Sequence, residues 1–308
     1  MLELLNCLNA RLVLLKDWLD QNEIEGYRLY DHELEGFAFS VDVYLDNLHI
    51  HLSKDDDDND QYQNKLKKFF NDEFEFDLKK IFIKSRKQQK GKSQYNKLQG
   101  SKQRFIIQEN KRLFYINLAD YFDSGLFLDH RDARKWVGDN SKNKAVLNLF
   151  AYTGAFSIYA ARGGATKTVT VDTSNTYLDW AEDNFKLNKI EKGEHQFVKF
   201  DAIKYLADAS KAKSQFFDLI IIDPPTFSNS KSRHDIFEIK RDHVTLINNA
   251  LTILNPNGII LFSTNFTKFK LKAELIHSKS IKDITTETIP LDFKNSAFIR
   301  YCFLIEKK

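Results

Sequence analysis

The sequence predicts an α/β protein in two parts. Residues 121–308 read as a Rossmann-like, mostly parallel sheet of about seven strands, and residues 1–120 as a small α+β domain ahead of it. Three observations carry this. From about residue 126, apolar runs of five or six residues alternate with helical patterns, the signature of βαβ units whose strands are covered on both faces. Those runs end on acids or on a glycine turn. The first 120 residues lack this alternation and mix one long amphipathic helix with short strands.

Taken in order, Leu4, Leu5, Leu8, Leu12, Leu15 and Leu19 recur at spacings of three and four and predict a helix over 2–20. Short strands follow at 27–30, 36–45 and 48–52. The acidic run "KDDDDND" at 54–60 reads as a solvated loop, 61–74 as a helix, and 80–84, 104–109 and 112–118 as strands. In the second part the strands are "AVLNLF", "TKTVTVD", "HQFVKFD", "FFDLIIID" and "GIILFST", with helices between them. "KDITTETI" at 282–289 and "AFIRYCFLIE" at 297–306 are expected to complete the sheet.

Composition narrows the function classes. Lys and Arg number 46 against 43 Asp and Glu, so the net charge of +3 names no partner by itself. The two cysteines, Cys7 and Cys302, stand at opposite ends of the chain. They form neither a disulfide framework nor a metal-ligand cluster, and they suit a reducing cytoplasm; no metal is expected. The N-terminal stretch lacks a basic region and a cleavage site, so it reads as a helix and not a signal peptide. No apolar stretch reaches the ~20 residues of a membrane span, so no membrane partner is expected.

In an open parallel sheet the ligand sits beyond the carboxyl ends of the strands. "AVLNLF" runs into the turn Ala151-Tyr152-Thr153-Gly154-Ala155, and the next three strands end on Asp172, Asp201 and Asp223. Asp172 falls where an acid accepts from ribose hydroxyls in nucleoside-binding sheets, and Asp201 suits an adenine amino group. Each acid alone is equally a helix N-cap; three together, with Asp223-Pro224-Pro225 following, point to a nucleoside ligand. The turn has too few glycines for a dinucleotide's phosphates and no P-loop is present. S-adenosylmethionine, which has no phosphate, fits.

The stretches "YRLYD", "QKGKSQYNKL", "NLADYFDSGLFLDHRDAR", "LNLFAYTGAFSIYAARGGATKTVTVDTS", "FDLIIIDPPTFSNSK" and "IPLDF" resemble the RlmK-type 23S ribosomal RNA guanine-N7 methyltransferases. In many bacteria these form the C-terminal half of a fused protein that also carries an RNA-binding module and a second methyltransferase. The resemblance implies a class I S-adenosylmethionine-dependent methyltransferase acting on 23S rRNA, with an N-terminal α+β RNA-binding module. It places Asn148, Phe150, Ala151, Tyr152, Thr153, Gly154 and Ala155 at the methionine end of the cofactor. Asp172, Thr173 and Ser174 go to the ribose, Asp201 and Ala202 to the adenine, and Asp223 with Pro224 lies between cofactor and target base. Phe127, Asp129 and Arg131 belong to a segment that closes over the cofactor. The first strand carries Asn148 where an acid is frequent, which weakens the expected contact with the cofactor's amino group.

Two adjacent prolines fix the backbone after Asp223 in a stiff, non-helical exit, suited to holding a flat base. Phe227 is placed to stack on that base, or belongs to the core. Pyrimidine C5 methylation needs a cysteine nucleophile, and neither Cys7 nor Cys302 lies at a strand end. A nitrogen target follows, with Asp223, Pro224 and Pro225 as the catalytic element. Asn229, Ser228 or Lys231 would donate to guanine O6, or Asp223 would accept from the N1 edge; both remain open. Residues 79–108 hold ten Lys or Arg and no acid, including Lys87, Lys90, Lys92 and Lys97, and read as a phosphate-contacting surface. Two rival classes stay in view. An adenine-N6 or glutamine amino methyltransferase would want an aromatic residue where Thr226 stands. A non-catalytic RNA-binding assembly factor would keep the acids for structure alone.

Overall fold

The computed structural model describes residues 1–53, 60–85, 104–191, 194–212, 216–228, 237–296 and 300–308. The chain forms two compact units, Met1–Asp129 with Pro290–Ala297, and His130–Ile289 with Phe298–Lys308. The division thus falls at 129–130 instead of 120, and the segment "PLDFKNSA" returns to the first unit. Part of the reason is local: Asp292 accepts from the Arg28 backbone N–H (2.9 Å) through its side chain and from Arg11 Nη2 (2.6 Å) through its carbonyl.

In the first unit, α1 (Leu2–Asn22) buries Leu4, Leu8 and Leu15, the stripe its spacing predicts. It ends at Glu23, which adopts a left-handed conformation (φ 52°). A four-stranded sheet runs in the order β1 (Gly26–Asp31), β2 (Phe39–Tyr44), β3 (Asn47–Leu52), β4 (Ile81–Ser85). The β3–β4 pair is parallel, so α2 (Asp60–Phe74) lies in the crossover between them. Strand alternation sorts the side chains. Phe39, Val41, Val43, Leu48, Ile50 and Leu52 join the core with α1 and α2. Ser40, Asp42, Tyr44, His49 and His51, at the intervening positions, line a cavity of about 390 Å³. A hairpin of β5 (Phe105–Glu109) and β6 (Arg112–Ile116) turns on Asn110 and Lys111, both at positive φ, the geometry of a two-residue hairpin turn.

The second unit opens with α3 (Arg131–Asp139). Its sheet is built from β7 (Ala145–Leu149), α4 (Ala155–Arg162), β8 (Lys167–Asp172), α5 (Asn175–Leu187), β9 (His195–Lys199), α6 (Ala202–Ala212) and β10 (Phe217–Ile222). A short pair, β11 (Phe227–Ser228) and β12 (Phe237–Glu238), precedes α7 (Ile239–Ile253), β13 (Leu254–Thr264), β14 (Ser278–Asp283) and β15 (Tyr301–Lys307). The strand order is β14-β15-β13-β10-β7-β8-β9, with β15 antiparallel to both its neighbours and every other pair parallel. The chain reverses its direction of travel across the sheet after β9, which puts the topological switch point between β7 and β10. Packing is tight at Gly163: a Cβ there would sit 2.0 Å from the Gly138 carbonyl oxygen, so any side chain would push α3 and α4 apart.

The penultimate strand differs from expectation. It occupies Ser278–Asp283, and the Thr-rich tail "TTET" turns into a 3₁₀ segment at Thr286–Thr288. Asp283 accepts from the Thr285 backbone N–H at 2.8 Å, a side-chain turn that ends the strand.

Candidate active site

The parallel register brings the strand ends into line. Leu149 pairs with Val171 and with Ile222, and Ile222 pairs with Phe262. The segments after β7, β8, β10 and β13 therefore emerge at one edge of the sheet.

After β7 the backbone takes an unusual path. Phe150 (φ 56°), Tyr152 (φ 51°) and Gly154 (φ 75°) are all left-handed, with Gly154 capping α4. Only glycine suits the last position: a Cβ would meet the Ala181 Cβ on α5 at 2.8 Å. This path aims the Tyr152 N–H at Asp172 Oδ2 (3.0 Å), while the Ser174 N–H reaches Asp172 Oδ1 (2.9 Å). Burial pushes the Asp172 carboxyl above the ordinary carboxylate range, opposed by backbone N–H groups of Ser174, Tyr152 and Thr173. A carboxylate oxygen can accept two hydrogen bonds, so Asp172 is oriented and still able to accept from a ligand diol. Ser174 caps α5 through the Tyr177 N–H, and Thr173 is exposed.

The other candidates sort differently. Asp201 Oδ1 accepts from the backbone N–H groups of Ile203 (3.0 Å) and Lys204 (3.2 Å), so it caps α6, whose first residue is the buried Ala202. Asn148 is 2% exposed and donates to Ser157 Oγ (3.0 Å), which Thr170 also reaches. Its side chain thus faces α4. Thr153 is fully buried, Ala151 is buried, and the Phe150 ring stacks on Phe237; this turn presents mainly backbone. Arg131 starts α3 and is fully buried, whereas Phe127 and Asp129 belong to the first unit and line its cavity. Phe227 lies in β11. Asn229, Lys231, Lys87, Lys90, Lys92 and Lys97 lie outside the described residues.

Asp223 follows β10 directly. Ser263, near the end of β13, donates to its Oδ1 at 2.6 Å, and His130 Nε2 stands 3.7 Å from Oδ2. Pro224 is buried and Pro225 half-buried, so the exit is packed as well as stiff. Sequence reasoning set neither beside Asp223, because each comes from an element remote in the chain. It also passed over Phe200, 41% exposed between β9 and Asp201, whose N–H bonds the Asp172 carbonyl (3.0 Å). An exposed aromatic directly before a strand-end acid was the available signal. Cys302 lies opposite Ser263 on β15, fully buried, and burial pushes its thiol up to about 11. Cys7 is half-buried on α1, and burial raises its thiol too.

Residues 80–277 match the family described as S-adenosylmethionine-dependent methyltransferase. The chain is 42% identical over 310 residues to ribosomal RNA large subunit methyltransferase K of Neisseria meningitidis, covering 98% of this chain and 86% of that protein. It is also 42% identical over 301 residues to ribosomal RNA large subunit methyltransferase K/L of Shewanella loihica, covering 95% of this chain. The chain spans only 42% of the length of that K/L relative. A solved structure described as a methyltransferase complexed with SAH superposes with a TM-score of 0.81 at 25% identity, over 98% of this chain and 80% of that one. Among the described residues no helix is long and apolar enough to cross a membrane. The seven-stranded sheet, the acid held at the end of its second strand and these likenesses agree: the chain belongs to the S-adenosylmethionine-dependent methyltransferase family, in the branch that includes ribosomal RNA large subunit methyltransferase K.

Proposed function

We propose that this chain methylates N7 of a guanosine in 23S ribosomal RNA, in the cytoplasm. The observation that carries the reading is the Asp223 exit: a carboxylate anchored by Ser263 beside two prolines, with Cys302 fully buried and Cys7 on α1 of the first unit. Burial pushes the Cys302 thiol up to about 11, which disfavours the thiolate a nucleophile needs. That weighs against a covalent route to pyrimidine C5. Guanine N7 carries an exposed lone pair, so attack there needs no general base, and catalysis reduces to alignment and electrostatics.

The residues present fit the cofactor. Bound S-adenosylmethionine supplies an electrophilic methyl group on a sulfonium. Asp172 accepts from the ribose hydroxyls, and its orientation is fixed before binding by the Tyr152 and Ser174 N–H groups. Thr173 and Ser174 flank the ribose, Asp201 and Ala202 border the adenine, and Phe200 offers it a stacking face. The 150–155 turn presents backbone to the methionine end. Asp223 stabilises the positive charge that develops on the purine ring as N7 is alkylated, and Pro224 and Pro225 keep it from recoiling. Phe227, Asn229 and Lys231 follow Asp223 in the sequence and are the candidates for contact with the base.

The first 120 residues serve as the RNA-binding part, with the basic block at 79–108 on phosphates. Replacing Lys87, Lys90, Lys92 and Lys97 by alanine should leave cofactor affinity unchanged and flatten the salt dependence of RNA binding. Each lost phosphate contact should lower the slope of log affinity against log salt by roughly 0.7–0.9. An unchanged slope would remove the block from the RNA interface. For the reaction itself, unmodified 23S rRNA is incubated with enzyme and methyl-labelled cofactor and digested to nucleosides. Label in 7-methylguanosine supports the reading. Label in N6-methyladenosine or a C5-methylpyrimidine overturns the target assignment, and failure to bind cofactor would favour a non-catalytic assembly factor.

A further inference from the structure

The polar face of the first unit's sheet holds a constellation that methyl transfer does not use. Arg28 on β1 pairs in register with Asp42 on β2, and Asp42 with His49 on β3. Directly paired residues share a face, and His51, two positions along β3, returns to that same face. One carboxylate and two imidazoles are thereby gathered by sheet register. A ligand atom from each of Asp42, His49 and His51 lies within 4.8 Å of the others. All three line the cavity of about 390 Å³.

We propose that Asp42, His49 and His51 form a binding site for a first-row transition cation of the zinc class, open to that cavity. Three observations support it. His49 Nδ1 and His51 Nε2 stand 3.0 Å apart. Two imidazole nitrogens that close must share either one proton or one cation; donors bound at ~2.0–2.1 Å to a tetrahedral ion stand at a similar separation. His49 is 1% exposed, so its donor nitrogen is withdrawn from bulk water. Arg28 grips Asp42 through Nε (2.5 Å) and Nη2 (3.2 Å), which orients the carboxylate and leaves one acceptor direction on each oxygen. Metal-ligating carboxylates are commonly held this way from outside. Charges of both signs surround the cluster, Arg28 and Lys84 facing His49. Arg28 faces Asp31 and Asp42, Asp129 faces Asp42, and Lys84, which pairs with His51 across β3–β4, faces Asp120 and Asp123.

Two imidazoles with one carboxylate suit zinc, cobalt, nickel or ferrous iron and disfavour calcium and magnesium, which want oxygen donors. Three protein ligands leave at least one position facing the cavity, which is the arrangement of a site that takes a further ligand. The sequence reading expected no metal from two distant cysteines, and H-x-H on one strand with an acid on its neighbour makes no local spacing motif. Only the β2–β3 register joins them.

The test uses the full chain, stripped with a chelator and then titrated with Co²⁺, without cofactor or RNA, so it stands apart from the methyl-transfer reading. One equivalent should bind and give visible ligand-field absorption, Zn²⁺ should displace it, and Mg²⁺ should not. Asp42→Asn and His51→Gln should each weaken uptake by more than the roughly 10–100-fold that loss of an outer partner costs. His51 is half-buried, so its variant is the one expected to keep the fold, as circular dichroism would verify. Zn²⁺ should raise the melting temperature of the parent chain and not of folded His51→Gln. Absence of stoichiometric Co²⁺ uptake by the parent, or uptake unchanged in folded His51→Gln, overturns the proposal.

Discussion

Asp223→Ala is expected to lower the rate of methyl transfer by ~100-fold or more, the scale seen when one stabiliser is removed from a preorganised site. Cofactor affinity should change little. The reasoning rests on how the carboxylate is held. Ser263 fixes Oδ1 from the neighbouring strand and two prolines fix the backbone, so no reorganisation is needed as charge builds on the base. Asp223→Asn separates charge from shape: it preserves volume and hydrogen-bonding capacity and should still lose most of the rate. Single-turnover measurements at saturating cofactor would read the chemical step directly. If Asp223→Asn retained the parental rate, Asp223 would serve as a hydrogen-bonding group alone.

Asp172→Ala should weaken cofactor binding by one to two decades, because a hydrogen bond to a charged group is worth roughly 1.5–3 kcal/mol. The substitution also strands the Tyr152 and Ser174 N–H groups that now end on this carboxylate, loosening both loops at once. Asp172→Asn is not a mild control here. Both oxygens face backbone donors, so an amide would set its NH₂ against one of them. The pH dependence has a definite sign. Burial raises this carboxyl, so acidification protonates it, and affinity falls, at a higher pH than for an ordinary carboxylate. Calorimetry of a folded Asp172→Ala chain with unchanged affinity would remove the ribose role.

Most of the architecture was legible because local pattern and global fold agree. The alternation in "FSVDVY" and "NLHIHL" sorts into a core face and a polar face, and "NK" between two apolar runs became the β5–β6 turn. The strand-end acids were legible as a set, but their individual duties were not. Asp172 is cradled by backbone, whereas Asp201 caps a helix; those fates depend on where the Phe150–Gly154 backbone travels, and three left-handed residues in one turn leave little trace in sequence. What escaped was long-range by nature: Ser263 and His130 beside Asp223, the return of residues 290–297 to the first unit, and the Asp42–His49 register. Each joins residues that no spacing rule connects.

The most direct measurement uses the chemistry of the product. A 7-methylguanosine ring is cationic; borohydride reduces it, and aniline then breaks the RNA chain at that nucleotide. Unmodified 23S rRNA treated with enzyme and S-adenosylmethionine should acquire one such break, and the break should be absent with Asp223→Ala and present with a Cys7→Ser/Cys302→Ala chain. Methyl incorporation without a break, or a break that depends on either cysteine, would contradict the assignment of guanine N7 as the acceptor.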